Sequence, residues 1–144
     1  MFVYFRNKQV LVEYISPHNY CEDNILKTVE DGYFLSNAFV GQRLCYLGHY
    51  CINGKQTGCE SGTYQANRGQ TSCEDCPAGY FCDENSQNVP IECQPGTYQE
   101  NSRSISCDNC LPGHKCPYYS MIIMSECPAG TYQPSYGDYL FKFF

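Results

Sequence analysis

The sequence predicts a small disulfide-rich fold: tandem irregular modules with short β-hairpins, an elongated rod, and little helix. Three observations predict it. Twelve of the 144 residues are cysteine, close to the density of disulfide scaffolds. Leu, Ile, Val and Phe together number 28, below the roughly one-fifth share at which a conventional core becomes doubtful. A cysteine pattern recurs at an even step, from Cys59 to Cys93 to Cys127. Between Cys45 and Cys127, 11 cysteines stand against nine Leu, Ile, Val or Phe residues. That is too little aliphatic side chain to bury a catalytic cleft, so the expected class is non-enzymatic.

The repeat is read most directly from its first element. Cys59-Glu-Ser-Gly62-Thr63-Tyr64-Gln65 recurs as Cys93-Gln-Pro-Gly96-Thr97-Tyr98-Gln99, and again as Cys127-Pro-Ala-Gly130-Thr131-Tyr132-Gln133. Cys73, Cys76 and Cys82 recur as Cys107, Cys110 and Cys116. Two full repeats therefore occupy 59–92 and 93–126. A partial unit at 45–58 precedes them, because Cys45-Tyr-Leu-Gly48-His49-Tyr50-Cys51 matches Cys76-Pro-Ala-Gly79-Tyr80-Phe81-Cys82. Residues 127–144 form a truncated repeat and tail, since its second cysteine would fall at Phe141. Residues 1–44 read as a non-repeat or decayed segment: Gly32-Tyr33-Phe34 is a worn remnant with Val29 where a cysteine would stand. Both ends depart from the array, as in a fragment or an incomplete gene prediction.

Local structure should be sparse. Gly, Pro, Asn and Ser favour turns over long elements. Thr-Tyr-Gln is β-prone, so one or two small hairpins per unit are expected. Asn24 to Glu30 suits a helical turn, and Val10 to Ile15 a strand.

A unit this short cannot offset its ordering entropy by burial alone. Disulfides restrict the unfolded chain instead. The simplest pairing joins sequential cysteines: Cys45–Cys51, Cys59–Cys73, Cys76–Cys82, Cys93–Cys107 and Cys110–Cys116. Four cysteines allow three pairings, and spacing does not choose among them. Cys21 and Cys127 are left over: free, paired with each other, or paired with neighbours outside the chain. Gly62, Gly96 and Gly130 share one repeat position, and Gly48, Gly79 and Gly113 another; both call for positive φ or a close backbone approach. No lysine follows them in phosphate-loop spacing. Tyr64, Tyr98 and Tyr132 are expected to lay rings on the cystines, with ligand contact as the alternative.

The competing chemistry is metal. Cys73-x2-Cys76 and Cys107-x2-Cys110 form a CxxC pair that suits tetrahedral zinc, with His49 and His114 as candidate ligands. Their shared position holds Tyr80 in the intervening unit, so it does not require a ligand. His18 lies outside the array. A redox CxxC would need a βαβ setting, which the pattern lacks. Glu74-Asp75 and Asp83-Glu84 read as solvated loop, without a calcium-loop pattern. No cofactor is expected.

The net charge is −6, with no basic run. That removes nucleic acid as a partner and disfavours an anionic membrane surface. Cysteine usage of this kind belongs where oxidants let disulfides persist, so the expected location is extracellular, as a secreted protein or an ectodomain. The apolar start is broken by Arg6 and Lys8, no stretch reaches the length of a membrane span, and no N-glycosylation sequon occurs.

The run CESGTYQANRGQTSCEDCPAGYFC, with its copy CQPGTYQENSRSISCDNCLPGHKC, resembles the ephrin-receptor-like cysteine-rich repeat. That repeat belongs with the growth-factor-receptor cysteine-rich domains and is similar to tumour-necrosis-factor-receptor modules. The resemblance covers Cys45 to Gln133. It implies an extracellular, non-enzymatic tandem array, serving as a spacer, an adhesion segment or a ligand-binding module. The partners it implies are a protein ligand or neighbouring repeats of a larger ectodomain. The alternative is a zinc-stabilised intracellular interaction module using the CxxC pairs, which free-thiol count and metal content would separate.

Overall fold

Eight two-stranded antiparallel hairpins follow one another among the described residues of a computed structural model. It describes residues 18–22, 25–35, 41–138 and 142–143, without the side chains of Cys21, Ile25, Leu26 and Phe143. Three longer pairs come first: β1 (Asn19–Glu22) with β2 (Ile25–Thr28), β3 (Tyr33–Leu35) with β4 (Gln42–Leu44), and β5 (His49–Ile52) with β6 (Lys55–Gly58). Five two-residue pairs follow: β7 (Thr63–Tyr64) with β8 (Glu74–Asp75), β9 (Tyr80–Phe81) with β10 (Ile91–Glu92), β11 (Thr97–Tyr98) with β12 (Asp108–Asn109), β13 (His114–Lys115) with β14 (Ser125–Glu126), and β15 (Thr131–Tyr132) with β16 (Lys142–Phe143). Each full sequence repeat thus holds two hairpins, and no helix occurs among the described residues.

The structural period is half the sequence repeat. Thr63, Tyr80, Thr97, His114 and Thr131 open successive hairpins at equal steps. Each follows a tight turn in which the amide of that residue donates to the carbonyl three residues back, as Thr63 does to Glu60 (3.0 Å) and Tyr80 to Pro77 (3.2 Å). The third residue of each turn is a glycine with positive φ, such as Gly62 (+85°) and Gly79 (+81°). That combination is type II geometry, and Pro95 and Pro112 occupy the second position that such turns favour.

These glycines also join one coil to the next. Gly62 N–H donates to the Cys82 carbonyl (2.7 Å), and Gly62 C=O accepts from Cys76 N–H (2.9 Å). Two further bonds complete the junction: Ser86 N–H to Cys59 C=O (2.7 Å) and Gln65 N–H to Gln87 C=O (3.1 Å). The same four bonds recur one coil later, from Gly79 to Gln99, Cys93 to Gly79, Arg103 to Cys76 and Cys82 to Ser104. They recur again around Gly96, and around Gly48 with Gly69 in place of Ser86. All of them join consecutive coils, which is the bonding of a one-dimensional stack. Ser86, Arg103 and Ser120 take positive φ at 60°, 63° and 54°, where the flanking coils use Gly69 and Gly137. An L-residue in that region costs roughly 1–2 kcal/mol. It is held because its amide is bonded to a cysteine carbonyl of the preceding coil and its carbonyl lies over a glycine two coils back.

Two sequence expectations change, for the helical turn and for the tyrosines. Asn24 to Glu30 is not a helical turn over its described part: residues 25–28 are β2, with Ile25, Leu26, Lys27 and Thr28 paired to β1, and Val29 is buried. The described residues between 18 and 44 carry the backbone bonding of the array, as a decayed unit would. The β1–β2 register matches that of β5–β6, and Val29 N–H donates to His18 C=O (2.7 Å) as Cys59 N–H donates to Gly48 C=O (2.9 Å). Gly32 has φ +85°, and Cys45 N–H donates to its carbonyl (2.9 Å), so Val29 stands buried in the role of a first cysteine. The tyrosine rings are not the core: Tyr64 and Tyr98 are half-buried and Tyr132 is exposed, while the fully buried side chains are cysteines and Gln65. The strand expected at Val10 to Ile15 lies outside the described residues.

At Gly62 a Cβ would lie 2.6 Å from the Arg103 carbonyl oxygen, in a conformation with positive φ. Gly62→Ala is therefore expected to destabilise the chain by about 2–4 kcal/mol in urea unfolding. Ser120→Gly relieves the same conformational cost and is expected to be neutral or stabilising by about 1 kcal/mol.

Candidate functional site

The chemistry-bearing side chains of this chain are its cysteines, and the coils place them in an alternating staple. The structure pairs Cys45–Cys51, Cys59–Cys73, Cys76–Cys82, Cys93–Cys107 and Cys110–Cys116, with Cα separations of 5.7–6.0 Å. Every coil from 45 onward begins with a cysteine three residues before its turn glycine. In one type of coil the partner stands at a sequence separation of 6, and in the other at 14. Cys127 begins a coil of the second type and is a half-buried free thiol. Its matching position, 141, and the Cys21 side chain lie outside the described residues.

Where the short disulfide is missing, a glutamine takes the sixth position. Gln65, Gln99 and Gln133 are 2%, 5% and 2% exposed. Gln65 Nε2 donates to Ser72 C=O (2.8 Å) while its Oε1 accepts from Asn67 N–H (2.9 Å). Gln99 repeats this with Ser106 (2.9 Å) and Asn101 (3.0 Å), and Gln133 with Asp138 (2.5 Å) and Ser135 (3.2 Å). Both ends of the amide are satisfied, as a buried amide requires. Sequence reasoning finds this glutamine in each GTYQ element but assigns it no role. Its signal is the alternation of Gln65, Cys82, Gln99, Cys116 and Gln133 at equal steps.

The CxxC cysteines do not act together. Cys73 and Cys76 are in different disulfides, as are Cys107 and Cys110. Disulfide sulfur offers no thiolate to a metal. Among the described residues, no group of three or more His, Cys, Asp or Glu is placed to hold a metal ion. His49 Nδ1 is bonded to Leu47 C=O (2.8 Å), with Nε2 3.5 Å from Ser86 Oγ, and His114 Nδ1 is 3.3 Å from Pro112 C=O. Both histidines fasten their own turns. His18 Nδ1 meets the Asn53 carbonyl.

The remaining candidate is a surface. At the bend of each coil, the positions flanking the positive-φ residue are polar in the coil at 59–75: Asn67, Arg68, Thr71 and Ser72. In the coil at 110–126 they are Tyr118, Tyr119, Ile122 and Ile123, exposed by 72%, 62%, 50% and 67%. No charged residue lies between Cys116 and Ser125. The fold does not demand these side chains, since the other coils close without them. Tyr46, Tyr132 and Tyr136 are exposed as well. Tyr46 is in contact with Phe34 (centroids 5.3 Å apart) and with the Arg68 guanidinium (5.9 Å).

No known family pattern matches the chain, and no curated protein matches it. Five disulfides are typical of extracellular proteins. Among the described residues, no helix is long and apolar enough to cross a membrane.

Burial pushes the Tyr64 hydroxyl above its ordinary value of 10.0, and the Glu74 carboxylate that accepts its hydrogen bond (3.1 Å) adds to the shift. A raised folded-state value means stability that is complete below about pH 10 and lost as pH climbs through that value. Unfolding followed against pH should show this alkaline loss, and Tyr64→Phe should remove part of it.

Proposed function

We propose that this chain is a non-catalytic segment of an extracellular array of the ephrin-receptor-like cysteine-rich kind, in a secreted protein or an ectodomain, acting as a spacer between other parts. The observation that carries this reading is the four-bond junction repeated from coil to coil, with a disulfide stapling each coil between Cys45 and Cys116. Such a ladder holds coils in fixed sequence, as a spacer needs, and it uses the reactive groups of the chain for cross-links. The reading rests on redox chemistry for its compartment, since disulfides persist where thiol reductants do not dominate.

A second reading is favoured by one loop. Tyr118, Tyr119, Ile122 and Ile123 present apolar and aromatic side chains together, the composition enriched at contact sites between proteins. A spacer with scattered rings would not concentrate them in one coil. In this reading the coil at 110–126 is the adhesive or ligand-binding part of the array.

Intact mass of the purified secreted chain, alkylated without reduction and assayed for zinc, tests the first reading. At least ten cysteines that resist alkylation, and no zinc, are expected. Twelve alkylated thiols, or zinc near stoichiometric, would replace it with the zinc-stabilised intracellular module.

A further inference from the structure

We propose that the bend at 118–123 docks onto an uncharged lipid surface, the zwitterionic face of a membrane. The proposal deepens the second reading above and rests on it, since it takes the coil at 110–126 as the contact part of the array. The exposure of this bend is set by position within the coil. The positions equivalent to Tyr118, Tyr119, Ile122 and Ile123 are exposed in the three preceding coils too. They are Asn67, Arg68, Thr71 and Ser72 in the first, Glu84, Asn85, Asn88 and Val89 in the second, and Asn101, Ser102, Ile105 and Ser106 in the third. Each of the four coils already carries the next coil on its turn glycine, at Gly62, Gly79, Gly96 and Gly113. The bend positions therefore face away from the contacts the stack makes with itself.

Two differences set this bend apart. All four of its exposed positions are apolar or aromatic, where the other three coils hold polar residues at all but Val89 and Ile105. Its charge has also been cleared. The other bends carry Arg68, then Asp83 and Glu84, then Glu100 and Arg103, whereas nothing charged stands between Cys116 and Ser125. A hydrocarbon boundary demands that clearing, because a charge taken into it is costly. Tyrosine pairs an apolar ring with a polar tip and suits the headgroup level, with the isoleucines reaching deeper. The bend is held before it meets anything: Ser120 N–H donates to Cys93 C=O (2.9 Å), Gln99 N–H donates to Met121 C=O (2.9 Å), and Cys110–Cys116 closes the turn before it. Little ordering cost remains to be met on docking. Size and charge select the occupant. Four side chains fall far short of the roughly 20–30 residues a side of a stable protein interface, and the polar bends of the neighbouring coils do not extend the patch. A second copy brings another net charge of −6, and so does not attract the first. The same charge repels anionic lipid. An uncharged headgroup surface remains, held by apolar burial alone.

The test is flotation of the full oxidised chain, its free thiols alkylated, with phosphatidylcholine vesicles and with vesicles of equal parts phosphatidylcholine and phosphatidylserine. The proposal expects binding to the first and weaker binding to the second at low salt. The triple variant Tyr118→Asn, Ile122→Thr, Ile123→Ser takes the side chains that the coil at 59–75 carries at those positions. It is expected to lower vesicle binding at least about tenfold, while Ile105→Thr leaves binding unchanged. Slow exchange of the Gly79 and Gly96 amides checks that both variants are folded. Tyr119→Trp places a fluorophore in a chain without tryptophan, and brominated phosphatidylcholine is expected to quench it. Absence of flotation with phosphatidylcholine would overturn the lipid proposal and leave the contact reading of the coil standing. Self-association in sedimentation that the triple variant abolishes, without flotation, would make a second copy the occupant and overturn it likewise. Stronger binding to the anionic vesicles would overturn the choice of an uncharged surface. Flotation undiminished in the triple variant would overturn both the proposal and the reading beneath it, since the array would then meet its surface through another part.

Discussion

One backbone position organises this molecule: the positive-φ glycine three residues after each coil's first residue. Its N–H points at the next coil and its C=O accepts from the first residue of that coil, so one glycine makes two of the four bonds in each junction. A side chain there would fail twice. The conformation disfavours any L-residue, and the space is filled by a carbonyl from two coils away. The turn type, the hairpin that follows and the seating of the next coil all depend on that position. The cost is partly borne elsewhere, in the positive φ of Ser86, Arg103 and Ser120.

The disulfides act on a chain that this bonding has already shaped. Each staples one coil, and none joins two. In the chain-entropy model the wider loop contributes about 3 kcal/mol and the shorter one about 2.4 kcal/mol. Cross-links of that size matter in a fold whose buried side chains are mostly cysteine and glutamine. The alternation has a local reason. A cysteine at the sixth position closes the turn directly. Where the second cysteine comes later, as Cys73 does after Cys59, the wider loop needs an internal brace. Gln65, Gln99 and Gln133 supply it with both ends of their amides.

Much of this was legible in the sequence. Cysteine density and aliphatic poverty pointed to a stapled, helix-poor fold, and the glycines declared their backbone role by position. The shorter coil period was hidden because the second cysteine of each coil alternates in spacing, so the full cysteine pattern repeats only at every second coil. The C-x2-G element at 59, 76, 93, 110 and 127 carries the shorter period in its first cysteine and its glycine, but the alternating second cysteine obscures it. Glycine taken as the anchor finds the coil of Gly32, which has no cysteine at Val29. Helical propensity misled over Ile25 to Thr28 because pairing across the hairpin overrides local preference. The Asn53-Gly54 turn of β5–β6, with φ of 51° and 71°, carries a strong two-residue hairpin signal that the cysteine pattern overshadowed. The apolar bend at 118–123 could not be separated from core by composition, since only the coil geometry tells which side of a bend faces water.

A ladder of glycine-centred junctions gives the chain an order of coils that does not rely on a large core, and it leaves the bends free to vary. That division explains how the bend at 118–123 can be apolar while its counterpart at 67–72 is polar, with the same backbone beneath. The most direct test of the central claim is to measure through-hydrogen-bond scalar couplings by nuclear magnetic resonance in the oxidised chain. Couplings should link the Gly62 amide to the Cys82 carbonyl, Gly79 to Gln99 and Gly96 to Cys116. Absence of these couplings, with glycine amides exchanging as freely as exposed loop, would contradict the account and leave the disulfides as the only order in the array.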